Sequence, residues 1–141
     1  MARLAAEGYL TDQQAQAVDV RAMARFFASD LGQEMRESAS LHREYPFSLL
    51  APARRFYPQA PEGEEILLQG VIDCWFQRLD GITLVDFKTD RVSAADAPQR
   101  AEHYRGQLAA YAYALETLTG QKVTRRILWF LGPNTGVTLG E

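Results

Sequence analysis

The pattern of hydrophobic and polar positions divides the chain into helical and extended segments. Apolar residues that recur every three to four positions predict helices, and runs rich in β-branched and aromatic residues predict strands. The predicted order is a helix, a short helix, a strand, a β-hairpin, a long helix and two further strands. The ranges are about Gln13–Ala28, Asp30–Glu37, Glu44–Leu50, Ile66–Gln77, Ile82–Lys88, Pro98–Gly120, Arg125–Leu131 and Val137–Leu139.

Residues at the ends of the predicted helices support these assignments. Thr11-Asp12 and Ser29 carry side-chain oxygens that can accept hydrogen bonds from the free N–H groups of the first and second helices. Pro98 suits the first turn of the long helix, and Gly120 stands where that helix would end. We therefore expect one α/β domain in which helices flank a mixed sheet.

The predicted hairpin turns at Asp80-Gly81. Asp-Gly between two strand-like runs is a strong signal for a two-residue turn, in which Leu79 pairs with Ile82. That register places Trp75 opposite Asp86. Because a shift by one residue would move every side chain of one strand to the other face, the position of the turn decides which charges meet.

Three charged residues share one face of the hairpin in this register. Asp73 lies directly opposite Lys88, and Asp86 lies on the same face because strand side chains alternate with a period of two. Diagonal neighbours on adjacent strands are about 7 to 8 Å apart. Two carboxylates at that separation can bind one hard divalent cation, which prefers oxygen ligands.

The alternative is a surface hairpin with a simple salt bridge between Asp73 and Lys88. The surrounding sequence argues against it, because both faces of the hairpin are largely apolar and this indicates a central position in the sheet. Buried charges are costly unless they are paired or bind a metal, so we interpret the cluster as a site. The apolar residues are Val71, Ile72, Trp75, Ile82, Leu84 and Val85.

The predicted long helix carries a polar residue beside its apolar stripe. Gln107 lies about 40° from Tyr111 around the helix. It is either a glutamine bonded to backbone at the rim, with Tyr111 in the core, or an amide that hydrogen-bonds a group in the site. The stripe itself consists of Tyr104, Leu108, Tyr111, Leu115 and Leu118.

Three segments taken together resemble the RecB-type nuclease domain of the PD-(D/E)XK superfamily, which has the restriction-endonuclease-like fold. They read Gly70-Val71-Ile72-Asp73, Val85-Asp86-Phe87-Lys88-Thr89-Asp90 and Tyr104-Arg105-Gly106-Gln107-Leu108-Ala109-Ala110-Tyr111. The sequence of these segments is most similar to the C-terminal nuclease domain of AddA-type subunits of bacterial AddAB helicase–nucleases. The resemblance is strong from Glu44 to Leu131 and weaker over the first forty residues.

The resemblance implies a role for each matching residue. Asp73 and Asp86 resemble the family's metal-binding acids, and the backbone carbonyl of Phe87 would be a further ligand. Lys88 resembles the lysine that orients the attacking water and balances charge on the phosphate. The other implied site residues are Gln107 and Tyr111, which line the site from the helix, and, in supporting roles, Glu44, Thr89 and Asp90.

For the whole protein, the resemblance implies a DNA exonuclease that hydrolyses phosphodiester bonds with Mg²⁺, for which Mn²⁺ can substitute. It also implies double-strand break repair and recombination by an ATP-dependent helicase–nuclease. The implied partners are DNA, the helicase portion of the same parent chain and an AddB-like second subunit. Two alternatives remain open: an inactive DNA-binding or docking module of such a complex, and a structural α/β domain with a fortuitous charged hairpin.

One residue of the resembling family has no counterpart. RecB-type domains usually carry a metal-binding histidine on an upstream helix, whereas this chain has only His42 and His103, which we interpret as edge or solvated residues. We therefore expect a fragment of a larger protein, cut after the histidine helix. It would comprise a helical lead-in over 1–40 and a nuclease core over 41–139. Metal affinity and activity of the isolated fragment would then be low or absent.

Composition limits the remaining classes of function. With 141 residues and 47% hydrophobic content, the chain can bury one core but has no room for a helicase motor. The single cysteine, Cys74, excludes an internal disulfide and a multi-cysteine metal cluster, and its alternation away from Asp73 predicts burial. No apolar run is long enough to span a bilayer and no signal peptide is evident, so we expect no membrane partner. The single cysteine fits a reducing cytoplasm. A net charge of −3 predicts weak DNA binding that depends on local arginines.

Overall fold

The computed structural model describes residues 12–140, with side chains described from Val20 onward. The helices are α1 (Asp12–Ala28), α2 (Asp30–Glu37), α3 (Ala97–Ala101) and α4 (Arg105–Thr119). The strands are β1 (Leu41–Pro52), β2 (Glu65–Arg78), β3 (Gly81–Lys88), β4 (Val123–Phe130) and β5 (Thr135–Leu139). Short 3₁₀ turns cover Ala53–Arg55 and Glu102–Tyr104. The cap predicted at Thr11 and the side chain of Val18 lie outside the described range.

A mixed sheet in the order β1-β2-β3-β4-β5 runs through the described residues. Strands β1, β2 and β3 form an antiparallel meander, β3 and β4 are parallel, and β5 returns antiparallel to β4. A parallel pair requires a crossover, which α3 and α4 supply. The predicted α/β class with a mixed sheet between helices is confirmed, and β3 is its central strand.

Each face of the sheet carries its own apolar core. The core on one face packs against α3 and α4, and the core on the other face packs against α1 and α2. The first includes Ile72, Trp75, Leu84, Leu108, Leu115, Leu128 and Phe130. The second includes Ala22, Phe26, Met35, Cys74, Phe76, Val85 and Trp129. Burying a sheet on both faces explains why Leu84 and Val85 of β3 and residues 127–130 of β4 are consecutive apolar residues.

The ends of the helices follow the predicted caps, but the long helix is interrupted. The Ser29 side chain accepts a hydrogen bond from the Gly32 N–H at 3.1 Å, and Gly120 ends α4 with φ 72°. The single helix predicted from Pro98 to Gly120 is wrong, because the 3₁₀ turn at Glu102–Tyr104 separates α3 from α4. Leu118, predicted in the apolar stripe, is 48% exposed.

The hairpin turn lies one residue earlier than predicted. Arg78 pairs with Gly81, so the connecting residues are Leu79 and Asp80, and Trp75 pairs with Leu84 rather than with Asp86. Gly81 has φ 140°, and a Cβ atom there would lie 2.6 Å from the carbonyl oxygen of Lys122. A glycine at position 81 therefore allows the chain at the start of β4 to approach β3 closely, and the two turn residues precede this glycine.

Strands β2 and β3 separate before the hairpin ends. Their pairing stops at Cys74 and Val85, whereas the pairing of β2 with β1 continues to Glu65 opposite Pro52. The free part of β2 therefore forms a two-stranded ribbon with β1. Val71 lies on this ribbon and is 48% exposed, so the central, buried position predicted for the hairpin is wrong at this residue.

Candidate active site

Asp73 lies at the point where β2 and β3 part. Its Oδ2 accepts a hydrogen bond from the backbone N–H of Phe87 at 2.8 Å, a donor that continued strand pairing would otherwise have used. The observed register, continued by one residue, places Asp73 opposite Asp86 rather than opposite Lys88. The predicted pairing of Asp73 with Lys88 is therefore wrong. Because the turn lies one residue earlier than predicted, each residue of β2 pairs with a residue two positions earlier on β3.

The backbone of β1 and β2 is irregular at the same level. Ile72 belongs to one core and Cys74 to the other, although residues two apart on a regular strand share a face. Opposite Asp73 on β1, Glu44 has φ 49°, and these two residues form no pair, although the pairs on both sides of them are present. A positive φ is costly for a glutamate, so this irregularity is a feature that the surrounding fold imposes.

Asp86 is a buried carboxylate on β3. It is 3% exposed, and Nζ of Lys88 lies 2.7 Å from its Oδ2 as an ion pair. Burial and the nearby charge of Asp73 raise the pKa of Asp86 to about 6, although the ammonium group of Lys88 works in the opposite direction. Two carboxylates therefore share a region that a single lysine does not neutralise.

Lys88 is held by side chains from the helical layer. Its ammonium group donates to Oε1 of Gln107 at 2.8 Å, and Nε2 of Gln107 donates to the hydroxyl of Tyr111 at 3.0 Å. The same ammonium lies 4.1 Å from the centre of the Tyr104 ring. Gln107 thus bonds to side chains in the cluster, and the interpretation of it as a rim glutamine bonded to backbone is wrong.

Lys88, Gln107 and Tyr111 border a cavity of about 870 Å³. Its lining contains most of the predicted site residues, including the supporting candidates Glu44 and Thr89. The lining residues from the predicted set are Glu44, Asp73, Asp86, Phe87, Lys88, Thr89, Gln107 and Tyr111. Asp90 stands apart from this lining and bonds instead to Arg100 and to the hydroxyl of Tyr104.

The remaining candidates behave as the sequence predicted. Cys74 is 3% exposed, and burial, followed by the charges of Asp73 and Asp86, raises the pKa of its thiol. His42 is exposed at the edge of the sheet and stacks on Trp75 with ring centres 3.9 Å apart. His103 is exposed on the 3₁₀ turn. Neither histidine lines the cavity.

Sequence reasoning missed the contribution of Tyr104 and Arg100. Tyr104 was expected only as part of an apolar stripe, yet its ring covers Lys88 and its hydroxyl reaches Asp90. The available signal was spacing, because Tyr104 and Gln107 are three residues apart and so lie on one helical face. The position of Arg100 could not be predicted, since it depends on the break between α3 and α4.

The oxygen atoms of the cluster suit a divalent cation. Oδ2 of Asp86 is buried and, apart from its ion pair with Lys88, has no partner within the described part of the chain, and Asp73 lies beside it at the strand opening. Hard cations prefer such carboxylate oxygens. Among the described residues, no three His, Cys, Asp or Glu side chains form a complete ligand set, so further ligands must come from backbone, water or substrate.

No helix among the described residues has both the length and the apolar character needed to cross a bilayer.

Comparison with known proteins also indicates a nuclease. The PD-(D/E)XK nuclease superfamily matches residues 2–138. Relatives whose names describe one subunit of an ATP-dependent helicase/nuclease are 44% identical in Acetivibrio thermocellus (89% of this chain, 10% of that protein), 39% in Desulforudis audaxviator (87%, 10%) and 37% in Bacillus mycoides (100%, 12%). The chain thus spans about a tenth of the length of these relatives. Through the match over almost its whole length, the chain belongs to the PD-(D/E)XK nuclease superfamily.

Proposed function

We propose that this chain hydrolyses phosphodiester bonds in DNA as the nuclease domain of an ATP-dependent helicase–nuclease. Mg²⁺ is the proposed cofactor, with Mn²⁺ as a substitute. The relatives, whose names describe a subunit of an ATP-dependent helicase/nuclease, support the helicase–nuclease part of this proposal. It places the parent complex in exonucleolytic processing of DNA ends for recombinational repair. The helicase portion and an AddB-like second subunit remain its proposed partners, in the cytoplasm.

The observation that carries the proposal is the convergence of Asp73, Asp86 and Lys88 where two strands part. Asp73 and Asp86, with the backbone carbonyl of Phe87, are the proposed ligands of the cation. A bound divalent cation would lower the pKa of a water ligand and polarise a phosphoryl oxygen. The raised pKa of Asp86 supports this role, since a cation is the missing counter-charge for the two carboxylates.

Lys88 has a defined task in this arrangement. Its ammonium group is fixed between Oδ2 of Asp86 and Oε1 of Gln107, so it presents its charge at one place in the cavity. A cation fixed there can orient the attacking water and stabilise negative charge on the phosphate as the transition state forms. Gln107 and Tyr111 support this geometry through their own hydrogen bond.

The alternative, an inactive docking module, is disfavoured by the same contacts. A module that had lost its chemistry would not need a buried acid with a raised pKa or a lysine bonded on two sides. We further propose that residues 41–139 form the nuclease core and that residues 1–40 form a helical lead-in. The histidine of related domains would be supplied by the parent protein upstream of the core.

Cleavage of linear duplex DNA in the presence of Mg²⁺ tests the proposal. The assay is run on this chain and on the chain extended upstream along its native gene. Asp86→Asn and Lys88→Ala are expected to reduce the rate at least a hundredfold, because they remove a metal ligand and a transition-state charge. The matched controls are Asp80→Asn and Lys122→Ala at exposed positions. Full cleavage by Asp86→Asn or Lys88→Ala would refute the assigned roles.

A further inference from the structure

We propose that Tyr104 is a positioning residue for Lys88, and that Asp90 and Arg100 hold its ring in place. The inference rests on the proposed function only in taking Lys88 as the group to be positioned. It assigns Asp90 the role of holding the Tyr104 ring and not the role of a metal ligand. Three contacts of the ammonium group, two hydrogen bonds of the Tyr104 hydroxyl and one ion pair between Arg100 and Asp90 carry it.

The ammonium group of Lys88 is enclosed on three sides. Oδ2 of Asp86 lies 2.7 Å away, Oε1 of Gln107 lies 2.8 Å away, and the centre of the Tyr104 ring lies 4.1 Å away. A lysine side chain has four rotatable bonds and gives up conformational freedom when it is fixed. The aromatic face attracts the cation and blocks the positions into which the ammonium could otherwise swing.

The ring of Tyr104 is itself anchored at its far end. Its hydroxyl donates to the carboxylate of Asp90, with oxygen distances of 2.8 and 3.0 Å. Nε of Arg100 donates to the same carboxylate at 2.6 Å. These contacts join the end of β3 to α3 and to the 3₁₀ turn before α4. The break in the predicted helix therefore places Tyr104 between Lys88 and Asp90.

The negative charge of Asp90 is balanced by the positive charge of Arg100. Burial alone would raise the pKa of Asp90, but hydrogen bonds from Arg100 and Tyr104 outweigh it and hold that pKa below its ordinary value. Burial and the bond to Asp90 raise the pKa of Tyr104, so the phenol remains a donor at neutral pH. Because Asp90 is paired with Arg100, it does not compete with Asp86 for the lysine.

The lysine signals of the protein test the contact directly. The chain has two lysines, so a sample labelled with ¹³C at lysine Cε gives one signal for Lys88 and one for the exposed Lys122. The Tyr104 ring current is expected to shift the Lys88 signal upfield of the Lys122 signal. Tyr104→Leu should abolish that separation, whereas Tyr104→Phe should keep part of it, because the ring remains but its hydrogen bond to Asp90 is lost.

Two further variants sharpen the comparison. Asp90→Ala should reduce the separation with the tyrosine still present, because the ring loses its anchor. Tyr57→Leu, at a residue that is 63% exposed, is the matched control and should leave both signals unchanged. The inference is overturned if the Lys88 signal coincides with that of Lys122 in the unsubstituted protein, or if Tyr104→Leu leaves its position unchanged.

The cleavage assay then measures what the contact contributes. Tyr104→Leu is expected to lower kcat about tenfold with KM for DNA nearly unchanged, because the lysine acts in the transition state. Tyr104→Phe should recover most of that loss. An unchanged kcat in Tyr104→Leu would overturn the positioning role. If neither this chain nor its upstream-extended form cleaves DNA, the proposed function fails, while the NMR comparison still decides whether Tyr104 fixes Lys88.

Discussion

At the scale of single residues, the site holds a carboxylate in a place that does not favour its charge. Asp86 is buried beside Asp73 and, among the side chains that the structure describes, has only Lys88 as a close positive partner. Its pKa of about 6 means that ionisation costs the folded protein free energy at neutral pH. Sites built for function commonly keep such an arrangement at the expense of stability.

Replacing Asp86 with asparagine is therefore expected to stabilise the metal-free protein. The folded pKa of about 6 lies above the ordinary value of 3.8, so the contribution of Asp86 to stability is fully present below about pH 4 and is lost as the pH rises through 6. At pH 7, Asp86→Asn should raise the free energy of unfolding by on the order of 1–3 kcal/mol. Near pH 4 the two proteins should be equally stable.

Urea denaturation in the presence of a chelator, at pH 4, 5, 6 and 7, measures this difference. Asp80→Asn makes the same substitution at an exposed acid in the hairpin loop and is the matched control. A variant that is less stable than the wild type at every pH would mean that Lys88 fully compensates the buried charge.

At the scale of the elements, the fold depends on how closely β3 and β4 approach. Gly81 begins β3 with φ 140°, and its added Cβ would lie 2.6 Å from the Lys122 carbonyl and 2.7 Å from Thr124 Cγ2. Gly63 also has a positive φ, 88°, but no atom of the described residues lies within 4 Å of its added Cβ. Comparing substitutions at Gly81 and Gly63 therefore separates the cost of backbone strain from the cost of a steric clash.

Gly81→Ala is expected to destabilise the protein by about 2–4 kcal/mol, since it combines strain with a clash against backbone. Gly63→Ala should cost only about 1 kcal/mol, from strain alone. Chemical denaturation of the two variants gives the comparison. Equal losses would show that the approach of β4 is not what requires a glycine at position 81.

The same elements show what could be predicted from sequence and what could not. The cap at Ser29, the end of α4 at Gly120 and the order of the strands follow from local patterns. The register of the hairpin does not, because the glycine that signalled the turn is required by β4, a distant segment. Asp73, Asp86 and Lys88 were correctly predicted to cluster, yet the pairing used to place them was wrong. The cluster survives because the register moved by two positions, which preserves faces.

At the scale of the whole molecule, charge limits how the chain meets DNA. The net charge is −3, and the acids of the site add local repulsion to a phosphate backbone. Any attraction must come from arginines on particular surfaces, such as Arg54 and Arg55 in the turn after β1. The chain matches only about a tenth of the length of its curated relatives.

We therefore expect the chain alone to bind duplex DNA weakly and without sequence preference. For about three phosphate contacts, affinity should fall roughly ten- to a hundredfold between 50 and 200 mM salt. Fluorescence anisotropy with two labelled duplexes of unrelated sequence measures both properties. Tight binding that persists at 200 mM salt, or a strong preference for one duplex, would contradict this account.

The position of a bound cation tests the central claim most directly. Crystals of the chain grown with Mn²⁺ allow the ion to be located from its anomalous scattering. The account predicts a peak within about 2.5 Å of a carboxylate oxygen from both Asp73 and Asp86. A peak bound by only one of these acids, a peak elsewhere in the molecule, or no peak at saturating Mn²⁺ would contradict it.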